Sequence, residues 1–322
     1  MTCHSFICLA FVTNGIAFAA DGVLPNAKPV PAAQAIPFPD HEVSFQRDGF
    51  ELARFHFKPD TPRPFVFPVI GPAGRSLTRM GHPHDPVTHS HHNSVWISHH
   101  DVNGVSFWED RGPGRIVIQR VEKFEEGSEE AASSTVAQWR AGNIPLLHER
   151  RRTAIRLLPN NEWLLLIDLE LQPGGTNEVT LGKTPFGLLG VRLAKTIGVH
   201  DGGGVIRNSE GGVNEKGVLW KNARWVDYSG PISATAREGI TLMDHPSNPN
   251  HPTIFHVRDD GWMGASLTFA ASRVIKPGEP LRLRYGLYVH AGVPEAGTLQ
   301  RQWEMFAKLS TATRERSTDS RK

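Results

Sequence analysis

Residues 42–57 read EVSFQRDGFELARFHF. Two short runs that alternate apolar and polar residues flank Asp48-Gly49. A period of two places successive side chains on opposite faces of an extended chain. Asp-Gly readily takes the positive φ that a tight hairpin turn requires. An antiparallel hairpin is therefore expected here, and the same grammar recurs outward from it. Residues 114–124 form a strand-type run, and residues 134–140 follow it after an acidic turn. Residues 146–158 and 163–171 flank Pro159-Asn160-Asn161, a second hairpin signal. Residues 281–290, LRLRYGLYVH, alternate clearly, and 31 glycines and 24 prolines punctuate the chain. Only residues 297–309 have helical spacing, with Leu299, Trp303, Phe306 and Ala307 on one side. The expected fold class is all-β, mainly antiparallel: a large β-sandwich with one short C-terminal helix. There is no internal repeat, P-loop, GxGxxG or CxxC, and Gly202-Gly203-Gly204 reads as a turn.

The ends of the chain have other compositions. Phe6 to Phe18 is an apolar run, and Ala17-Phe18-Ala19 has the small-x-small pattern of a secretory cleavage site, although no Lys or Arg precedes it. Residues 1–19 are thus expected to be a signal peptide and the protein to be periplasmic or extracellular. Cleavage there would remove Cys3 and Cys8, both cysteines of the chain, and with them any disulfide or thiolate chemistry. Residues 20–40 read as a Pro/Ala-rich linker, 41–295 as a single sandwich domain, and 296–322 as the C-terminal helix and a disordered tail. Thirty-five Lys and Arg against 33 Asp and Glu leave a net charge of +2. No basic patch suggests a nucleic-acid partner, and no run is long and apolar enough for a membrane span. Arg150-Arg151-Arg152 follows Glu149 in a strand-like segment and reads as a solvated or ion-paired face.

Chemistry concentrates in residues 81–108, GHPHDPVTHSHHNSVWISHHDVNGVSFW. Of the 16 histidines, this stretch holds His82, His84, His89, His91, His92, His99 and His100. Imidazole exchanges protons near neutral pH and ligates metals. On an extended backbone His89 and His91 would face the same side and reach one ion. A third ligand could come from His99, Asp101 or another loop, with His245 the candidate there. The cofactor stays open, one divalent metal ion being the option this set supports. For acid–base work the candidates are His89, His92 and His99, with Asp101, Glu149 or Asp227 as orienting carboxylates. Residues 243–258, MDHPSNPNHPTIFHVR, form a second His-bearing stretch, stiffened by prolines, that adds His245, His251, His256 and Arg258. Trp225 and Asp227 share a strand face, and an aromatic beside a carboxylate suits a sugar, although a core Trp and a surface Asp would give the same pattern. Trp96, Asn103, Trp108, Arg192, Trp225, Tyr228, His245, His256 and Arg258 complete the substrate-binding candidates. Arg192 or Arg258 would hold a carboxylate or a developing oxyanion.

Residues 63–74, 89–97, 100–108, 224–231, 244–252 and 281–290 resemble, in order, the bacterial family labelled methane oxygenase PmoA, also catalogued as a domain of unknown function. The resemblance covers the chain from about Phe45 to His290. It implies a secreted or periplasmic protein of carbohydrate-degrading bacteria and a large β-sandwich similar to galactose mutarotase; fold alone does not fix function. Members usually carry an Asp-His-Pro-His-His-type run where this chain has Thr88-His89-Ser90-His91-His92. That departure leaves open which histidine takes which role.

Three readings follow. The first, which we adopt, is a carbohydrate-active enzyme using His/carboxylate acid–base chemistry, with or without a metal. It covers hydrolysis, elimination and epimerisation alike. The second is a non-catalytic glycan-binding protein that uses Trp96, Trp108, Trp225 and Trp262 as platforms. The third is a copper oxygenase. Its N-terminal histidine-brace version fails because cleavage would leave Ala20 or Asp21 at the N-terminus, whereas an internal three-His copper site stays open. Two His-rich loops meeting in a deep pocket would favour the first reading over the second.

Overall fold

The computed structural model describes residues 29–309. The signal-peptide and tail assignments lie outside those residues. Among the described residues, 31–309 cluster as one compact unit.

Two large sheets make the fold, and every strand pairing in them is antiparallel. The first has nine strands in the order Ala33–Phe38, Glu42–Arg47, Phe50–His56, Phe65–Val69, Val95–His99, Gly187–Arg192, Trp262–Ser266, Ile254–Arg258 and Lys221–Asn222. The second has eight, in the order Val205–Asn208, Trp225–Pro231, Arg237–Asp244, Leu281–Ala291, Trp163–Pro173, Ile144–Leu157, Glu130–Ala141 and Gly114–Glu125. Val179–Leu181 and Arg273–Ile275 form a separate pair.

Both hairpins form as the turn residues require. Asp48 and Gly49 have φ of 50° and 82° between their two strands, and Asn160 and Asn161 have φ of 59° and 61°. The expected linker is partly wrong: Ala33–Phe38 is an edge strand paired in register with Glu42–Arg47. Its buried Ala33 and Ala35 alternate with less buried neighbours, so even this Ala/Pro-rich segment carries a period of two.

One apolar core fills the space between the sheets. Val43, Phe45 and Phe55 of the first sheet share it with Leu165, Ile167, Tyr285 and Leu287 of the second. The strand Trp163–Pro173 shows why its sequence is a near-continuous apolar run. Trp163, Leu165, Ile167, Leu169 and Leu171 enter the inter-sheet core, whereas Leu164 and Leu166 point the other way. The latter lie beneath the helix Ala296–Lys308, whose Leu299 and Phe306 are fully buried against them. Farther along the same outer face the residues become Asp168 and Glu170. They pair with Arg284 at 3.1 Å and Arg282 at 2.9 Å.

Candidate functional site

The site lies on the outer face of the first sheet and follows from its period of two. In four adjacent strands, Val95 and Ile97, Leu189 and Val191, Met263 and Ala265, and Phe255 and Val257 all enter the inter-sheet core. The intervening residues therefore face outward. Strand pairing aligns Phe65, Trp96, Gly190, Gly264 and His256 in one row across the sheet. The next row aligns Arg192, Trp262 and Arg258. The two glycines make room for indoles. A Cβ on Gly190 would stand 2.8 Å from both Trp96 and Trp262, and one on Gly264 2.9 Å from Trp262. Trp96, Trp108 and Trp262 then cluster with ring centroids 5.3–5.7 Å apart, flanked by Phe65 and Phe186.

Over this floor lies a cleft of about 290 Å³. It is lined by His82, His89, His91, His92, His100 and His256, by Arg192, Arg258, Glu109 and Asp260, and by Trp108, Phe186 and Trp262. His92 stacks on Trp262 with centroids 5.3 Å apart and planes 18° apart. Arg63, fully buried, fastens two of the walls together. Its guanidinium donates to the carbonyls of Phe107 and Trp108 and to Asn93, and pairs with Asp110 at 2.9 Å.

The histidine loop is not extended. Residues 86–91 form turns, because the Asp85 carboxylate accepts the Thr88 backbone N–H at 3.0 Å and curls the chain back on itself. The expected HxH geometry therefore does not arise. The rings of His89 and His91 are 5.6 Å apart and tilted, and His245 lies elsewhere in the fold. The curl has a chemical consequence. His89 Nδ1 lies 2.9 Å from Asp85 Oδ2. Hydrogen bonds from Thr88, side chain and then backbone, hold the Asp85 carboxyl down at about 2. An ionised Asp85 makes His89 Nδ1 the donor and leaves Nε2 with a lone pair.

A second carboxylate organises the floor. Asp260 accepts Arg192 Nη1 at 3.0 Å and His82 Nε2 at 2.9 Å. His82 Nδ1 accepts the backbone N–H groups of His84 and Asp85, which fixes its proton on Nε2. Burial opposes ionisation of Asp260, but the Arg192 charge and the two hydrogen bonds prevail and hold its carboxyl below the usual carboxylate range. Arg192 has no exposed surface, and its Nε and Nη2 have no protein partner. Nδ1 of His92, Nδ1 of His256 and the indole N–H of Trp262 are likewise buried without a partner. Burial lowers the pKa of His91 and His256 to about 4, with Arg63 and Arg258 respectively adding to the shift. Burial lowers that of His92 further, with Arg192 reinforcing it. These rings are neutral at pH 7.

The cleft thus gathers His89, His91, His92, Trp108, Arg192, His256 and Arg258 from the expected set, with Trp96 packed beneath it. Arg258 sits at the rim, paired with Glu215 at 2.9 Å. The other candidates are corrected by their positions. His99 points to the core side of its strand, fully buried, with Nε2 2.8 Å from the Thr268 hydroxyl and Nδ1 accepting the Asp101 N–H. Asp101 accepts the Gly104 N–H within a tight turn, and Asn103 accepts the Thr180 N–H. Glu149 is buried in the other sheet, accepting from Trp139 Nε1 and Arg151 Nε at 2.8 and 2.7 Å. Asp227, also in that sheet, is fully buried among Arg207, Ser229, Thr241 and His290. Trp225 does share its face, but that face lies beneath the C-terminal helix, where the indole N–H donates to Gln300. His245 packs edge-on against Phe306 of the same helix. The Tyr228 hydroxyl is a structural hub: it accepts the N–H groups of Val199 and Gly261 and donates to the Asp259 carbonyl.

Asp260, Phe186 and Glu109 line the cleft, and Arg63 braces it from behind, without being among the expected site residues. Asp260 and Phe186 lie far from the histidine stretch in sequence and are brought to it by the pairing of the strands beside them. The signal for Asp260 was faint, an acidic pair before Gly261 at a strand turn.

Comparison with known proteins adds a family. The model of a family of unknown function, DUF6807, matches residues 42–304. No curated protein matches the chain. Among solved structures, heparan sulfate lyase HepC from Pedobacter heparinus is similar at 10% identity and a TM-score of 0.41, over 84% of this chain and 38% of that one. A GalM/aldose epimerase homologue from C. elegans is similar at 8% identity and a TM-score of 0.34, over 82% of this chain and 100% of that one. The heparinase III BT4657 gene product is similar at 10% identity and a TM-score of 0.34, over 84% of this chain and 38% of that one. The chain therefore spans well under half the length of HepC and of the BT4657 gene product. At such identities and scores none of these likenesses fixes an activity. Among the described residues no helix is long and apolar enough to cross a membrane.

Proposed function

We propose that this chain, which belongs to the family of unknown function DUF6807, binds an acidic sugar derivative in the histidine-lined cleft and acts on it by proton transfer. The observation that carries the reading is Arg192. A buried guanidinium with donor positions left over is costly unless an acceptor meets them, and Arg192 belongs to the cleft wall with Nε and Nη2 unpaired but covered, so a ligand would reach them by shifting the side chains over them. A carboxylate or a developing oxyanion matches the planar fork of such a group. The neutral rings of His92 and His256, which line the cleft, suit the hydroxyls of the same ligand.

In this reading His89 is the base. Its Nε2 would take a proton from the bound sugar, while Asp85, on Nδ1, holds the ring and stabilises the imidazolium that forms. Arg192 would receive the negative charge that develops on the substrate oxygen, in a site where burial strengthens the interaction. Elimination, epimerisation and mutarotation share this step. The tryptophans favour a cleft enzyme over a flat glycan platform, because Trp96, Trp108 and Trp262 are each 5% exposed or less and offer no open ring face.

The test is turnover on a panel of uronides, glycosides and keto-sugars by the wild-type protein and a His89→Ala variant. The expected result is turnover of an acidic member, with kcat/KM falling by about 10²–10⁴ in His89→Ala, the range for a lost acid–base group. Undiminished turnover in His89→Ala would show that the base lies elsewhere.

A further inference from the structure

Beside the cleft, outside its lining, three metal-ligating side chains converge from two distant segments. His84 belongs to the histidine loop, and His200 and Asp201 to the short helix Val199–Gly202. One ligand atom from each lies within 4.8 Å of the others. His84 Nε2 is 2.8 Å from both carboxylate oxygens of Asp201, and the His84 and His200 rings are 5.9 Å apart. We propose that His84, His200 and Asp201 form a binding site for a divalent transition metal, of the kind zinc fills.

The donor set is the first argument. Two imidazoles and a carboxylate are borderline ligands that suit zinc and its neighbours rather than magnesium or calcium, which prefer all-oxygen shells. Three protein ligands leave a tetrahedral ion one open position. At zinc–ligand distances of roughly 2.0–2.2 Å the donors must close in from their present spacing. His84 is half-exposed and His200 exposed, so rotamer changes can supply that movement.

The second argument is the support behind the ligands. The His200 backbone N–H donates to the Asp259 carbonyl at 2.9 Å. The Tyr228 hydroxyl accepts the Val199 N–H and bonds to that same carbonyl. The helix carrying His200 and Asp201 is thereby tied to the turn at residues 259–261, whose Asp260 holds His82 and Arg192 in the cleft. The loop carrying His84 also carries His89, His91 and His92. An ion at this site would staple the histidine loop to the scaffold two residues from His82 of the cleft wall.

The test is isothermal titration of tag-free, metal-stripped protein with zinc chloride, repeated on His84→Ala, His200→Asn and the His89→Ala/His91→Ala double variant. The expected result is one zinc per chain for the wild type and the double variant. Each of the two site variants should bind more weakly by at least the roughly 10–100-fold that loss of even an outer-shell partner costs. Zinc should also raise the melting temperature of the wild type and not that of His84→Ala. Metal-free melting curves matching the wild type will show that the variants fold. Absence of zinc uptake, uptake retained in both site variants, or uptake lost only in the double variant would each overturn the proposal. The site does not depend on the reaction proposed for the cleft, and the titration reads it without a substrate.

Discussion

Burial takes His91 and His256 down to about 4, and His92 lower still, with Arg63, Arg258 and Arg192 adding to it in turn. The same cause brings His99 and His245 to about 4. A histidine whose folded pKa lies below its unfolded value of about 6.5 binds more protons when unfolded. It therefore contributes stability that is present above the unfolded value and lost as pH falls toward the folded one. The protein should lose melting temperature steadily between about pH 6.5 and pH 4. Two-dimensional NMR of the imidazole carbons should show His92 and His256 remaining neutral down to at least pH 5. An inflection near 6.5 for these two would mean that they are solvated, and the cleft would then lack the neutral lining described. His89 differs in its setting: it is half-exposed, and its Nδ1 faces the Asp85 carboxylate, which leaves Nε2 free to face a ligand.

At the scale of the strand, the period of two does two jobs at once. In Val95–His99 it sends Val95 and Ile97 to the core and Trp96 to the cleft floor, and the same alternation decides against His99. The glycines Gly190 and Gly264 complete the floor by having no side chain where two indoles must lie. Gly190→Ala should displace Trp96 and Trp262 and cost about 1–3 kcal/mol, the range for overpacking. Thermal melting together with a shift in tryptophan emission checks this. An unchanged spectrum and an unchanged melting temperature would place the indoles elsewhere. Strands, both hairpins and the C-terminal helix were legible in the sequence because each is written locally, in alternation, in turn residues or in helical spacing. The site was legible only where it is local. The histidine stretch announced itself, but its backbone geometry did not, because a single carboxylate, Asp85, converts an expected extended segment into turns. Trp225 and Asp227 were correctly read as sharing a face; nothing in that strand says that a helix some seventy residues later covers it.

At the scale of the molecule, the decisive feature is where the chain crosses between sheets. The second His-bearing stretch, residues 243–258, begins in one sheet and ends in the other. His245 and His251 stay near the C-terminal helix, where His251 pairs with Asp244 at 2.7 Å and stacks on Trp303. His256 and Arg258 reach the cleft. A linear reading keeps these residues together, and only the pairing of Ile254–Arg258 with Trp262–Ser266 separates them. The same pairing brings in Asp260, on which Arg192 and His82 both depend.

The central claim is that the cleft receives an acidic sugar on Arg192, over a floor of tryptophans. The most direct measurement is tryptophan fluorescence during titration with uronic acids and with the matching neutral sugars, for the wild type and for Arg192→Lys. The account predicts a saturable change with a uronate, weak or no change with its neutral counterpart, and marked weakening in Arg192→Lys, which keeps the charge but loses the planar fork. Equal binding of neutral and acidic sugars, or uronate binding untouched by Arg192→Lys in a variant that melts as the wild type does, would contradict it.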